Sequence, residues 1–92
     1  MLEIVYSSRF KKDYKRIKRS GRHDLDKLEE IIDKLSKEKP LEAKHCNHQL
    51  KGELLGCSEC HISPDWLLIY EIDHKSNQLR LSRTGSHSEL FE

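Results

Sequence analysis

The sequence predicts a single α+β domain spanning residues 1–92, ordered β-α-α-β-β-β with one further strand, in which two N-terminal helices lie on one face of an antiparallel sheet. Three observations carry this. A short β-branched run, LEIVY, opens the chain at residues 2–6. Apolar residues then recur at spacings of three and four as far as Pro40. From Leu50 onward the texture changes to short runs at 50–55, 57–62, 66–72 and 78–84, separated by turn signals. With 92 residues there is no room for a second core.

Each element has a local reason. Ser7 or Ser8 can cap the first helix, whose apolar positions Phe10, Tyr14 and Ile17 form one narrow stripe on an otherwise basic rod, and Ser20-Gly21 stops it. Asp24 offers a second cap. Leu25, Leu28, Ile31, Ile32 and Leu35 then repeat at helical spacing until Lys39-Pro40, because the residue before a proline is pushed out of the α region. Residues 41–49, LEAKHCNHQ, have no period and read as a loop. The four runs that follow are joined by short connections, which suit an antiparallel meander. Ser63-Pro64-Asp65 is the tightest of these joints, since proline fixes φ at the first corner and aspartate suits the second. Behind it WLLIY, residues 66–70, is apolar at every position, as befits a central strand covered on at least one side.

Only 35% of residues are hydrophobic and 36% are charged, so the expected core is thin and every apolar run belongs to it. No apolar segment approaches the roughly 18 residues of a membrane span, and the N-terminus lacks the basic-then-apolar form of a signal peptide. Three cysteines, an odd number, read as reduced thiols. The expectation is a cytoplasmic protein with no membrane partner.

The net charge of +1 hides an uneven distribution. Residues 1–40 hold twelve Lys/Arg against eight Asp/Glu, net +4, whereas residues 41–92 hold five against eight, net −3. Within RFKKDYKRIKRSGR, residues 9–22, there are eight bases and one acid. Lys11, Lys12, Lys15, Lys18, Arg19 and Arg22 therefore form a candidate footprint for a polyanion. A solvated helix face that binds nothing has the same composition.

His61 and Asp65 flank the same turn tip, with the apolar run behind it to hold the tip rigid. Histidine both takes and gives a proton near neutral pH, and a neighbouring carboxylate orients the ring. A ribonuclease that uses no metal needs one group to deprotonate a ribose 2′-hydroxyl, one to protonate the departing 5′-oxygen, and cations for the phosphate. His48, His61 and His87 are candidates for the first two tasks, although a histidine in a charged domain is more often a surface or turn residue than a catalyst.

A longer pattern narrows the choice. His48-x-Leu50-x-Gly52, then Gly56-x4-His61-Ile62-x-Pro64-Asp65-Trp66-Leu67-Leu68-Ile69-Tyr70, then Leu79-Arg80-Leu81-x-Arg83-Thr84-Gly85-x-His87-x2-Leu90-Phe91 resembles the YafQ branch of the RelE superfamily, the ribosome-dependent mRNA interferase toxins. The resemblance covers essentially the whole chain and implies a RelE-like fold. It also implies a metal-independent endoribonuclease that cleaves translated mRNA on the ribosome, with no cofactor.

Residue by residue, it implies catalytic roles for His48, His61, Asp65 and His87. Arg83, with Arg80, would bind phosphate, and Phe91 would stack on or steer an mRNA base. The partner it implies is a cognate antitoxin of the DinJ-like, ribbon-helix-helix type. The sequence departs from the pattern in two places: Leu54-Leu55 stands where relatives carry an aromatic, and Ser58 where they carry a base, so that Lys51 becomes the candidate substitute phosphate ligand.

Other readings stand beside these. His45, Cys46, His48, Cys57, Cys60 and His61 form a metal-suggestive group, but on a strand over 57–62 Cys57 and Cys60 point to opposite faces, which argues against a small zinc-binding structural protein. A non-catalytic ribosome- or RNA-binding module would use the basic helix alone. Phe91 can equally fold back onto the core, and Arg80 and Arg83 can be ordinary strand charges. Strict alternation places Arg83 on the side of Leu79 and Leu81. His23, His45 and His74 match no site of the family and are expected at the surface.

Overall fold

Two capped helices follow a short first strand, as their sequences dictate. In a computed structural model describing residues 1–50 and 56–91, β1 spans Glu3–Tyr6, α1 Ser8–Ser20 and α2 Leu25–Ser36. Ser7 is the N-cap of α1, its hydroxyl accepting from Phe10 N–H at 3.0 Å, and Gly21 ends the helix at φ 65°. Asp24 caps α2 by accepting from Asp26 N–H at 3.0 Å.

The remaining strands are β2 (His48–Gln49), β3 (Ser58–Ser63), β4 (Trp66–Asp73) and β5 (Gln78–Gly85), followed by a short helix α3 (His87–Phe91). The expected run at 50–55 lies largely outside the described residues. The expected loop at 41–49 instead carries a 3₁₀ turn, Ala43–His45, and the two-residue β2. The C-terminal helix was not foreseen.

The sheet order is β1-β5-β4-β3-β2. β2 to β5 pair antiparallel, as the short connections require, but β1 lies parallel to β5, so the sheet is mixed rather than antiparallel. The pairing joins the first strand to the last, and no local pattern encodes it.

Phe10, Ile17, Leu28, Ile31, Ile32 and Leu35 from the helices pack on Cys60, Ile62, Trp66, Leu68, Tyr70, Leu79 and Leu81 from the sheet. Alternation places Glu59, His61, Leu67 and Ile69 on the opposite face. The register shifts between Ile69 and Tyr70, so that Ile69 opposes Arg83 while Tyr70 opposes Leu81. This bulge leaves Ser82 unopposed and turns Arg83 away from the side of Leu79 and Leu81, where strict alternation had put it.

β1 reaches only as far as Leu81 on β5. Beyond that point α1 takes over the uncovered edge. The Ser7 hydroxyl donates to Ser82 O at 2.8 Å, and the Asp13 carboxylate accepts from Thr84 N–H at 3.3 Å. An open strand edge is thereby closed with side chains.

Trp66 anchors the turn beside the site from within the core. Its indole N–H donates to Thr84 Oγ1 at 2.9 Å, and that hydroxyl donates to Leu67 O at 2.8 Å. Trp66→Phe keeps an aromatic ring but removes the buried donor and part of the indole's volume, and is expected to cost about 2–3 kcal/mol of unfolding free energy, read from urea denaturation.

Candidate active site

The turn over Pro64 and Asp65 forms as expected between β3 and β4, and the chain brings α3 back beside it. His87, the first residue of α3, donates from its backbone N–H to Asp65 Oδ1 at 3.3 Å, and its ring Nδ1 lies 3.3 Å from the same oxygen. The His87 ring and backbone N–H hold the Asp65 carboxyl below its ordinary value. The ring centroids of His61 and His87 are 5.7 Å apart, and those of His87 and Phe91 6.3 Å. Phe91 stays exposed and does not fold back onto the core.

Sequence reasoning missed the residue at the centre of this group. Glu59 lies two positions before His61 on β3 and therefore on the same face, yet only 6% of it is exposed. Ligand atoms of Glu59, His61 and His87 all fall within 4.8 Å of one another. Glu59 Oε2 meets His48 Nε2 at 3.0 Å, while buried Oε1 has no hydrogen-bond partner among the described residues. A buried carboxylate oxygen left unpaired is costly and marks a place where a proton or a ligand is handled. The only available signal was the period-two placement of Glu59 behind His61.

His48 stands opposite Glu59 across the β2–β3 pairing, and its Nδ1 lies 2.8 Å from Cys46 O. Nδ1–H donates to the carbonyl, which leaves Nε2 to share a proton with the Glu59 carboxyl. His45, expected at the surface, is instead buried. Its Nδ1–H donates to the backbone oxygen of His61 at 2.6 Å and ties the 3₁₀ turn to the strand that carries the site. Tyr70 secures the same loop by donating to Asn47 Oδ1 at 2.6 Å. His23 is half-buried with its ring on Trp66, centroids 4.5 Å apart, and exposed His74 pairs with Glu38.

The two arginines part company. Arg80 opposes Glu71 near the far turn of the β4–β5 hairpin and pairs with Asp73 at 2.8 Å. Five residues of strand, about 17 Å, separate it from Gly85 at the site end, so Arg80 does not join the cluster. Arg83 is close to the site but already engaged: its Nε and Nη2 donate to the two oxygens of Asp13 at 2.9 and 3.0 Å. Asp13 is 2% exposed, the one acid of the basic stretch turned inward. Burial pushes its carboxyl up, but Arg83, Thr84 N–H and Arg16 together pull it further down, to below its ordinary value. Lys51 and Leu54-Leu55 lie outside the described residues. Lys11, Lys12, Lys15, Lys18, Arg19 and Arg22 are all exposed.

The cysteine-containing group does not converge on one point. Cys46 is exposed, whereas Cys60 is buried on the helical side of the sheet, where burial, reinforced by the neighbouring Glu59 charge, pushes its thiol up to about 12. Among the described residues the set with metal-ligand geometry is Glu59, His61 and His87. No described helix is long and apolar enough to cross a membrane.

Comparison with known proteins gives one family. The family model described as "Bacterial toxin of type II toxin-antitoxin system, YafQ" matches residues 2–92. The mRNA interferase toxin YafQ of Escherichia coli K12 is 38% identical over 90 residues, 97% of this chain and 95% of that one. The crystal structure of a metal-bound toxin from Helicobacter pylori superposes with a TM-score of 0.93 at 46% identity, covering 99% of this chain and 100% of the other. The toxin chain of an E. coli DinJ-YafQ complex superposes at 0.88 with 35% identity, covering 100% of both.

Asp13 yields a pH test. Its depressed carboxyl contributes stability that is present above the unfolded value of about 3.9 and is lost as pH falls through the lower folded value. Asp13→Asn is expected to cost about 3 kcal/mol at pH 7, because it strands Arg83, and progressively less below pH ~4. Urea denaturation of both proteins across that range measures the difference.

Proposed function

Because the chain belongs to the YafQ family of bacterial type II toxin–antitoxin toxins, we propose that it is an endoribonuclease that cleaves mRNA on the ribosome by acid-base attack of a ribose 2′-hydroxyl, without metal. The observation that carries this reading is the convergence of Glu59, His61 and His87 within 4.8 Å from one strand and one helix distant in sequence.

The roles follow from what each group is bonded to. Glu59 has one oxygen engaged by His48 and one buried oxygen unpaired among the described residues, which suits a general base receiving the 2′-hydroxyl proton. The oxygen then attacks the adjacent phosphorus and the 5′-oxygen departs. His87 has its Nδ1 turned to Asp65, so Nε2 is the ring atom left to deliver a proton to that leaving oxygen. His61 supplies a hydrogen bond to the phosphoryl oxygens as negative charge grows, while His48, with both ring nitrogens engaged, holds the Glu59 carboxylate in place. Phe91, exposed beside His87, offers a face on which a splayed base stacks. Arg83 gives two of its five N–H donors to Asp13 and can offer the others to the phosphate.

The exposed bases of α1 and the following turn give the electrostatic surface that a ribosomal RNA partner requires. The partner in the E. coli complex is DinJ, and a DinJ-like antitoxin is the partner proposed here.

A metal ion held by Glu59, His61 and His87 would occupy the lone pairs that proton transfer needs, so on this reading a bound ion inhibits. His87→Gln and, separately, Glu59→Gln are each expected to lower cleavage of translated mRNA by about 10²- to 10⁴-fold while ribosome binding is kept. Primer extension on ribosome-bound transcripts, paired with ribosome pelleting, reads both quantities. With Mg²⁺ held constant for the ribosomes, pretreating the toxin with a chelator selective for transition metals is expected to leave the wild-type rate unchanged and added copper(II) to suppress it; a rate abolished by that pretreatment and restored by a transition metal contradicts the proposal.

A further inference from the structure

His87 and Phe91 ride on a helix of five residues that contains no buried side chain. So short a helix has no stability of its own. Leu90 lies half-buried over Gly85, and the other anchors are polar, with the Glu89 carboxylate working in two directions. Oε1 accepts from Ser86 N–H at 2.9 Å while the Ser86 hydroxyl accepts from Glu89 N–H at 3.2 Å, closing a capping box. Oε2 accepts from Arg16 Nε at 3.0 Å. Arg16 Nη1 lies 3.3 Å from Asp13 Oδ1, the buried carboxylate that also holds Arg83 and Thr84 N–H.

Position 85 is cut to fit this pair. A Cβ there would stand 3.1 Å from Glu89 Oε1 and 3.2 Å from Arg16 Nη2, so glycine lets the two close over the end of β5. Arg16 thus differs from the other bases of its helix, because its guanidinium is spent on two carboxylates of its own chain.

We propose that Arg16 and Glu89 are positioning residues: their ion pair, seated on Asp13, clamps α3 against α1 so that His87 and Phe91 face Glu59 and His61. The proposal rests on the endoribonuclease reading for its consequence in rate, but the clamp itself is a statement about α3. Neither side chain touches the reacting atoms. Loss of the pair should therefore appear in the chemical step and leave ribosome affinity alone.

The test is a double-mutant cycle of Arg16→Gln, Glu89→Gln and the double variant. It is read as kcat and KM for programmed ribosomes and, in parallel, as amide hydrogen exchange at residues 87–91. Both side chains are near half exposed, 45% and 40%, so the variants are expected to fold. Each single change is expected to lower kcat by about 10- to 100-fold with KM unchanged, since small misplacement of a catalytic group has that effect. The double should lose no more than either single, because the two act as a unit. Exchange at 87–91 should quicken in all three.

A wild-type kcat in either single variant overturns the clamp, as does a loss confined to KM in Arg16→Gln with Glu89→Gln silent, which would mark Arg16 as an RNA contact. If the wild type itself does not cleave, the functional reading fails. Amide exchange then decides the clamp alone, with unchanged protection in the variants overturning it.

Discussion

The carboxylate of Asp13, buried against the uncovered edge of β5, is the point on which the rest of the molecule depends. β1 covers that edge only to Leu81, and the strand continues to Gly85. An edge left open there would expose backbone groups directly beside the site. Asp13 closes it by accepting from Thr84 N–H, and in the same stroke fixes Arg83 and receives Arg16. Helical layer, sheet and C-terminal helix thus meet at one buried charge, which is tolerable because every lone pair faces a donor.

From that junction the site is assembled out of three separate segments. β2 brings His48, the β3–β4 hairpin brings Glu59, His61 and Asp65, and α3 returns His87 and Phe91. Each is steadied by a neighbour that does no chemistry: His45 on the carbonyl of His61, Asn47 on Tyr70, Trp66 on Thr84. Only 35% of the chain is hydrophobic, so polar contacts carry much of the work of positioning.

Much of this was legible in the sequence wherever the signal was local. Ser7, Gly21 and Asp24 marked helix ends because capping is decided within a few residues. Pro64-Asp65 marked its turn for the same reason. What escaped was decided by distant partners. The parallel β1–β5 pairing joins residues about 75 positions apart, and the bulge that redirects Arg83 arises from register with β4. Glu59 and Asp13 are not singled out by the sequence, because burial of a charged residue depends on partners that alternation does not name; Asp13 stands out only as the one acid among eight bases. His45 was placed at the surface because its acceptor, the carbonyl of His61, carries no sequence signal.

Identification of the fragment ends left on a translated transcript tests the chemistry most directly. Attack by the 2′-hydroxyl, driven by a carboxylate and completed by an imidazolium, leaves a 5′-hydroxyl on one fragment and a 2′,3′-cyclic phosphate, or the 3′-phosphate it opens to, on the other. Fragments carrying a 5′-phosphate and a 3′-hydroxyl would mean that water, not the ribose, is the nucleophile, and that Glu59, His61 and His87 meet for some other purpose.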